Sequence, residues 1–189
     1  MRGAIFSTIA AAFALVAPAA AAPAKPEPGT DASCTEKSTM LTDWVVVDFD
    51  YHESKTFSTP SHQVARGDVI FKLNNPATNY TTSCRGDSSH LDVFFLGDVT
   101  YKCDVQASED AATFTFSRPT GKLTLSQAWS CPKEGSRFVA KGGVTLDLKC
   151  KTDKWKNDHW EKGSLYSSEF TKCDLVTIPA PIDSLSVVG

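Results

Sequence analysis

The residues best suited to do chemistry are six cysteines in a chain of 189 residues. They are Cys34, Cys84, Cys103, Cys131, Cys150 and Cys173. An even number of cysteines is typical of a disulfide framework when the chain is secreted. Six cysteines allow fifteen pairings. Proximity in sequence favours Cys84 with Cys103 and Cys150 with Cys173, and elimination then leaves Cys34 with Cys131. The sequence has no C-x-x-C or H-x3-H spacing, so a zinc site is disfavoured.

The four histidines offer little acid–base chemistry. His52 lies beside Glu53, but adjacent residues of a strand point to opposite faces. A secreted ribonuclease or other hydrolase would require His52, Glu53, His90 and Arg85 to converge in a cleft. The serine motif G-x-S-x-G is absent. We therefore expect no enzymatic activity, no catalytic residue, no metal and no cofactor, with a hydrolase or ribonuclease as the third choice of function.

A lysine-rich stretch with two tryptophans, Lys149 to Lys162, is the most plausible contact surface. Tryptophan is enriched among residues that carry binding energy. We predict that Trp155, Trp160, Lys154 and Lys156 contact a partner. The alternative is that the tryptophans cap an open end of the fold and the lysines keep a loop soluble.

The first residues resemble a secretory signal peptide. One arginine precedes an apolar, alanine-rich run, and small residues around Ala21 suit cleavage. We predict a signal peptide over 1–21, a flexible leader over 22–33, a single domain over 34–179 and a flexible tail over 180–189. The protein is then secreted and extracellular, and no membrane anchor is expected. Removing Arg2 leaves 18 basic and 22 acidic residues, a charge of −4, which disfavours nucleic acid as a partner.

Asn79-Tyr80-Thr81 is a sequon for N-glycosylation. Such a sequon belongs on an exposed loop of a secreted protein. We therefore predict that Asn79 is a glycosylation site, against the alternative of an unmodified asparagine.

The clearest structural element is a hairpin from Thr113 to Cys131. Phenylalanines alternate with threonines on its first arm, and Leu123, Leu125, Trp129 and Cys131 share one face of the second. Between the arms, Arg118-Pro119-Thr120-Gly121 suits a tight turn.

Other strands are predicted near 44–51, 69–73, 91–95, 99–103, 138–141, 144–150 and 170–178. Gly142-Gly143 is expected to form a hairpin turn, and 151–168 a long loop. Sustained helical spacing is absent. Eight to ten short strands predict an all-β fold, an antiparallel barrel or sandwich.

Four features together resemble the Alternaria major-allergen-like family of small secreted fungal proteins. They are the secretory leader, the strand at Trp44 followed by Asp48-Phe49, the pair Cys84 and Cys103, and the block FTFSRPTGKLTLSQ. The likeness spans most of 43–173, with a wider spacing between Cys150 and Cys173. Cys34 and Cys131 are an additional pair relative to the smallest members, which argues against a cysteine-linked dimer.

The resemblance implies an antiparallel β-barrel without known enzymatic activity. It further implies a role as an allergen, an elicitor of plant defence or a virulence effector that binds a host or extracellular protein. Some members are thought to dimerise and to bind small phenolic ligands, so a carrier of a phenolic or flavonoid-like ligand in the barrel is the alternative. We expect a monomer or a weak dimer.

Overall fold

The computed structural model describes residues 32–105 and 110–188. The predicted signal peptide and nearly all of the predicted leader lie outside these residues. One short helix and ten strands follow in chain order: α1 Cys34–Thr39, β1 Asp43–Thr59, β2 His62–Asn75, β3 Tyr80–Ser88, β4 Tyr101–Asp104, β5 Ala111–Ser117, β6 Lys122–Cys131, β7 Ser136–Thr145, β8 Cys150–Lys156, β9 Ser167–Cys173 and β10 Val176–Val188. The all-β prediction is confirmed, and no helix in the described ranges is long and apolar enough to cross a membrane.

Eight of the strands close into an antiparallel barrel. The order around the barrel is β1, β2, β3, β4, β5, β6, β7 and β10, and β10 returns to β1 with Ala180 opposite Trp44. Closure satisfies the backbone groups that an open sheet would leave at its edges. Of the two predicted architectures, barrel and sandwich, the protein has the barrel.

Strand β1 belongs both to the barrel and to a sheet extension outside it. Along one edge, its residues 43–49 pair with β10 and its residues 52–57 pair with β9. A register shift between Val46 and Phe49, with φ +53° at Asp48, marks the change of neighbour. Strand β9 pairs in turn with β8, so the β8–β9 hairpin continues the sheet beyond the barrel wall.

Aromatic side chains fill the barrel interior. Those that are almost completely buried include Phe49, Tyr51, Phe71, Phe95, Phe114, Phe116 and Phe138. The rings of Phe71 and Phe114 lie 5.0 Å apart in an edge-on arrangement, which aromatic pairs favour. The interior is therefore packed by side chains over this part of the barrel.

Two buried tryptophans organise the other end. The indole N–H of Trp44 donates to Gln127 Oε1 over 2.9 Å, and that of Trp129 donates to the Ser38 hydroxyl over 2.9 Å. Ser38 lies on α1, whose first turn is capped by Ser33 and Glu36 in a reciprocal capping box. The tryptophans thus satisfy buried polar groups while the helix covers this end.

Three disulfides join Cys34 to Cys131, Cys84 to Cys103 and Cys150 to Cys173. These are the pairs that proximity and elimination favour in the sequence. The first fixes α1 to β6, the second crosses from β3 to β4, and the third closes the base of the β8–β9 hairpin. The described residues contain no free cysteine.

The predicted hairpin between Thr113 and Cys131 is confirmed. Strands β5 and β6 pair from Ala111 opposite Ala128 to Ser117 opposite Lys122. Gly121 has φ +68° at the turn, a conformation that glycine adopts without strain. The predicted inward face of the second arm is buried as well.

The predicted turn at Gly142-Gly143 is wrong, because both glycines lie inside β7. A Cβ on Gly142 would collide with the Pro181 carbonyl of β10, and one on Gly143 with the Leu123 carbonyl of β6. The glycines allow close approach of flanking strands instead of a reversal of the chain. The strand predicted over 144–150 is consequently split, since β7 ends at Thr145 and β8 begins at Cys150.

The hairpin predicted over 91–103 is also wrong. Residues 89–100 form no strand apart from an isolated bridge between Leu96 and Ser117. Phe94 and Phe95 are nevertheless buried, so these apolar residues mark a segment that packs on the barrel without joining its ladder. Strand β3, which the sequence analysis did not predict, provides the partner for β4.

The predicted flexible tail over 180–189 is contradicted by β10, which extends to Val188. The prolines at 179 and 181 suggested an end to the strand. Ile182 N–H donates to Thr42 O, which shows that the even-numbered residues of this stretch form the hydrogen bonds to β1. The backbone nitrogens of Pro179 and Pro181 therefore face away from β1, so their missing N–H groups break no hydrogen bond with that strand. Pairing with β7 begins beyond them, at Ile182 opposite Gly142.

Candidate contact surface on the sheet extension

The predicted long loop over 151–168 is in large part the β8–β9 hairpin. Three of the four predicted contact residues, Trp155, Lys154 and Lys156, lie on β8, and Trp160 lies in the connection between the strands. Strand β8 could not be recognised from the sequence because both of its faces are exposed to solvent, so apolar and polar residues do not alternate along it.

Trp155 is half exposed and has an aromatic neighbour that sequence reasoning missed. It lies opposite Ser168, and Phe170 lies two residues along β9, opposite Asp153. Side chains in this diagonal relation share a face and lie within reach of each other. Trp155 is 50% exposed and Phe170 is 44% exposed. Together they give the sheet extension an apolar contact area on a rigid ladder.

The same face continues onto the barrel. The row that begins with Trp155 and Ser168 continues through Thr56 of β1 to Val64 of β2. Val64 is 62% exposed. We call this surface, comprising Trp155, Phe170, Thr56 and Val64, the aromatic face.

A charged cluster borders the aromatic face on β1, β2 and β3. Asp68 accepts hydrogen bonds from Arg66 Nε at 2.9 Å and from Arg85 Nη2 at 3.0 Å, and His52 Nε2 lies 3.8 Å away. The hydrogen bonds from Arg66, reinforced by Arg85 and partly opposed by burial, lower the pKa of Asp68 below its usual value. Asp68 thus stabilises the fold at neutral pH, and this contribution is lost as the pH falls through the lowered pKa.

The predicted lysines do not share the aromatic face. Lys154 and Lys156 point to the opposite side of β8 from Trp155, because side chains alternate along a strand. Lys154 Nζ lies 2.9 Å from Glu169 Oε1, and Lys156 Nζ lies 5.5 Å from the centre of the Tyr166 ring. The two lysines and Trp155 therefore do not share one face of the sheet, and contact of the four residues with a partner stays a prediction.

Trp160 contacts other residues of its own hairpin. Its indole N–H donates to the Ser164 carbonyl over 3.0 Å, and its ring meets Tyr166 edge-on at 5.9 Å. These contacts hold the connection of the hairpin together. The alternative that the tryptophans cap an end of the barrel fits neither residue, because Trp160 packs within the hairpin and Trp155 faces solvent.

The residues considered for hydrolysis do not converge. His52 and Arg85 both approach Asp68 on the outer face, whereas Glu53 lies on the other face of β1 and accepts a hydrogen bond from Tyr51. Burial and the neighbouring Glu53 carboxylate raise the pKa of Tyr51 far above its usual value, so the phenol stays protonated. His90 lies in the segment after β3.

One group within the described ranges has the spacing of metal ligands: Cys34, Cys131 and Glu134. The two sulfur atoms are bonded to each other in a disulfide. They lack the thiolate form that binds zinc, so this group does not fit a metal site.

A cleft of about 160 Å³ is lined by residues of β3 and β6 together with Val105 and Asp110. Its lining includes Thr82, Gln127 and Trp129. The Thr82 hydroxyl is buried and finds no hydrogen-bond partner among the described residues. A small molecule with a polar group could satisfy it.

Asn79 lies in the turn between β2 and β3 and is exposed. Its φ of +58° is a left-handed conformation that asparagine tolerates better than most residues. The side chain is thus accessible to a glycosylating enzyme, and glycosylation of Asn79 stays a prediction.

The family model described as Alternaria alternata allergen 1 matches residues 46–173. No curated protein and no solved structure matches the chain. The matched region begins within β1 and ends with the last residue of β9, so it includes most of the barrel and the whole β8–β9 hairpin.

Proposed function

The chain belongs to the Alternaria alternata allergen 1 family, and from this membership we propose that it is a secreted protein that acts by binding, not by catalysis. Its partner is a host or extracellular protein, and its role is that of an effector or an elicitor of plant defence. The observation that carries the proposal is the aromatic face. Large aromatic side chains half exposed on a regular sheet are the kind of anchor found at the centres of protein interfaces.

Rigidity supports the same proposal. The aromatic face stands on strands that continue into the barrel, and the base of its hairpin is closed by the disulfide between Cys150 and Cys173. A preformed surface loses little conformational freedom when a partner binds, so more of the contact energy remains as affinity.

Replacing Trp155 with alanine is expected to weaken binding of the partner by about 2 kcal/mol, roughly thirtyfold in Kd. The same change should alter the free energy of unfolding by only about 0.5 kcal/mol, because the side chain is half exposed. The partner would first be captured from host extracellular fluid with the wild-type protein and identified. Its Kd would then be measured by calorimetry for both forms.

The matched control is Lys154→Ala, on the same strand but on the opposite face. It should leave the Kd within about twofold, since exposed ion pairs contribute little. Equal losses for the two variants, or an unchanged Kd for Trp155→Ala, would rule out the aromatic face as the binding surface.

A second candidate function is that of a carrier for a small phenolic ligand. The cleft lined by β3 and β6 favours it, because the unpartnered Thr82 hydroxyl and the aromatic Trp129 both belong to its wall. Catechol should then raise the melting temperature of the wild type and of Trp155→Ala alike, and fail to do so in Thr82→Val. A melting temperature that does not respond to catechol would count against the carrier.

A further inference from the structure

Strand β8 has one edge without a partner in the described parts of the chain. It lies at the end of the sheet, and its neighbour there is β9. Six of its seven residues are exposed and the first is partly buried, so the edge is open to solvent. Such an edge presents backbone N–H and C=O groups that another strand can bind.

The hydrogen-bond pattern shows which backbone groups face the open edge. Asp174 N–H donates to Lys149 O over 2.9 Å, and Asn157 N–H donates to Tyr166 O over 2.8 Å. Both bonds continue the β8–β9 ladder at odd-numbered positions of the β8 side. Bonding alternates along an antiparallel strand, so the even-numbered residues of β8 direct their backbone groups to the open edge. These residues include Thr152, Lys154 and Lys156.

The open edge is basic, although the whole chain carries a formal charge of −3. Strand β8 contains three lysines, Lys151, Lys154 and Lys156, and one acidic residue, Asp153. Within the described residues Lys151 and Lys156 form no ion pair, whereas Lys154 is paired with Glu169. Because side chains alternate along a strand, each face of β8 has one lysine available for a carboxylate of another strand.

We propose that the edge of β8 binds an extended acidic segment of the extracellular partner, which adds to the sheet as a further antiparallel strand. The pairs β8–β9 and β9–β1 are antiparallel, and this arrangement is the more stable one per residue. The inference rests on the proposed binding role of the aromatic face, and it specifies the conformation and the charge of the segment that is bound beside it.

The side chains of β8 set the composition of the added strand. Residues opposite Lys154 and Lys156 lie on one face, and residues opposite Lys151 and Trp155 lie on the aromatic face. Carboxylates opposite the lysines and an apolar side chain opposite Trp155 form favourable cross-strand pairs. Lysines on an edge oppose the addition of a basic or an apolar strand, so the same residues that favour an acidic segment exclude others.

A synthetic peptide of sequence TEVETTET, with acetyl and amide ends, tests the proposal. Aligned antiparallel, its three glutamates lie opposite Lys156, Lys154 and Lys151, and its valine lies opposite Trp155. Titration into isotope-labelled protein should show saturable binding by amide NMR, with a Kd below about 1 mM. Amide protons of the even-numbered residues of β8 should move downfield and exchange more slowly with water, because they gain hydrogen bonds. Those of the odd-numbered residues are already bonded to β9 and should change little.

Two methylated forms of the peptide separate backbone pairing from charge attraction. N-methylation of its second, fourth and sixth residues blocks the N–H groups that face β8, and should raise the Kd at least about tenfold. N-methylation of its third, fifth and seventh residues blocks the N–H groups that face away, and should leave the Kd within about threefold. Equal effects of the two forms would overturn strand addition. Binding without the shifts of the even-numbered amides would overturn it as well.

Charge reversal tests the selection of an acidic strand. The double variant Lys151→Glu with Lys156→Glu should raise the Kd of TEVETTET at least about tenfold, and the peptide TKVETTKT should restore binding to this variant. The matched control, Lys122→Glu with Lys133→Glu, makes the same change in net charge at exposed positions on or next to β6. It should leave the Kd within about threefold, since charges beyond the Debye length are largely screened. Equal losses in both double variants would show long-range attraction and contradict the pairing.

The peptide experiment and the Trp155→Ala experiment fail separately. If TEVETTET does not bind up to about millimolar concentration while Trp155→Ala weakens the captured partner, the acidic strand is rejected and the aromatic face stands. If the peptide binds at the edge while Trp155→Ala leaves the partner's Kd unchanged, the aromatic face is rejected and the edge of β8 stands as a peptide site. Near-ultraviolet circular dichroism would show that each variant is folded.

Discussion

Replacing Trp129 with alanine is expected to lower the free energy of unfolding by about 3–5 kcal/mol, the usual cost of removing a large buried aromatic side chain. Trp129 is 2% exposed and stacks on Phe138 with ring centres 5.6 Å apart. Its indole N–H satisfies the buried Ser38 hydroxyl of α1. The change would therefore open a cavity and loosen the helix at the same time. Denaturation by urea, followed by circular dichroism, measures the loss.

Two control variants separate the contributions of the hydrogen bond and of burial to this loss of stability. Trp129→Phe keeps most of the ring but removes the donor to Ser38, so it should cost about 1–2 kcal/mol. Trp155→Ala removes the same side chain from an exposed position and should cost about 0.5 kcal/mol or less. If Trp129→Ala and Trp155→Ala lowered stability equally, the buried position assigned to Trp129 would be wrong.

Removing the bridge between Cys34 and Cys131 by a double change to alanine should cost about 4–5 kcal/mol. The two residues are separated by 97 positions, and the entropy that a bridge removes from the unfolded chain grows with the length of the loop. The bridge also holds α1 over the buried Trp129. Reversible unfolding in guanidinium would measure the difference from the wild type.

Removing the bridge between Cys150 and Cys173 provides the comparison. Its separation is 23 residues and it lies at the base of the sheet extension, so a smaller loss of about 3 kcal/mol is expected. A larger loss for this short-range bridge than for the long-range one would contradict the loop-entropy argument.

The hairpin of β5 and β6 could be predicted because one of its faces is buried and the other is exposed to solvent, so apolar and polar residues alternate along both strands. The same rule explains the failures. Strand β8 has no buried face and so has no alternation. Residues 91–95 are largely apolar because Phe94 and Phe95 pack on the barrel, although they join no ladder.

The predictions that rested on glycine and proline were wrong for a related reason. Gly142 and Gly143 have the composition of a turn, but the neighbours that crowd them, Pro181 and Leu123, are distant in sequence. Pro179 and Pro181 are tolerated in β10 because their missing N–H groups face away from β1. Which edge of a strand is paired is a property of the assembled sheet, and local sequence does not record it.

The contact surface was found in part. Trp155 could be identified from residue type alone, because exposed tryptophan on a polar segment is uncommon. Phe170 and Val64 could not, because their place beside Trp155 depends on the registers of β9 and β2. The face on which each lysine lies could not be predicted either, because β8 was not recognised as a strand.

Because β1 belongs both to the barrel and to the sheet extension, the β8–β9 hairpin can accept sequence changes that the barrel does not feel. The hairpin that carries Trp155 is attached through β9 to residues 52–57 of β1, while residues 43–49 of the same strand close the barrel with β10. The connection between β8 and β9 can therefore lengthen, shorten or vary in sequence without altering any strand pair of the barrel. Related proteins could vary this connection at little cost to folding, much as antibody loops vary on a constant scaffold.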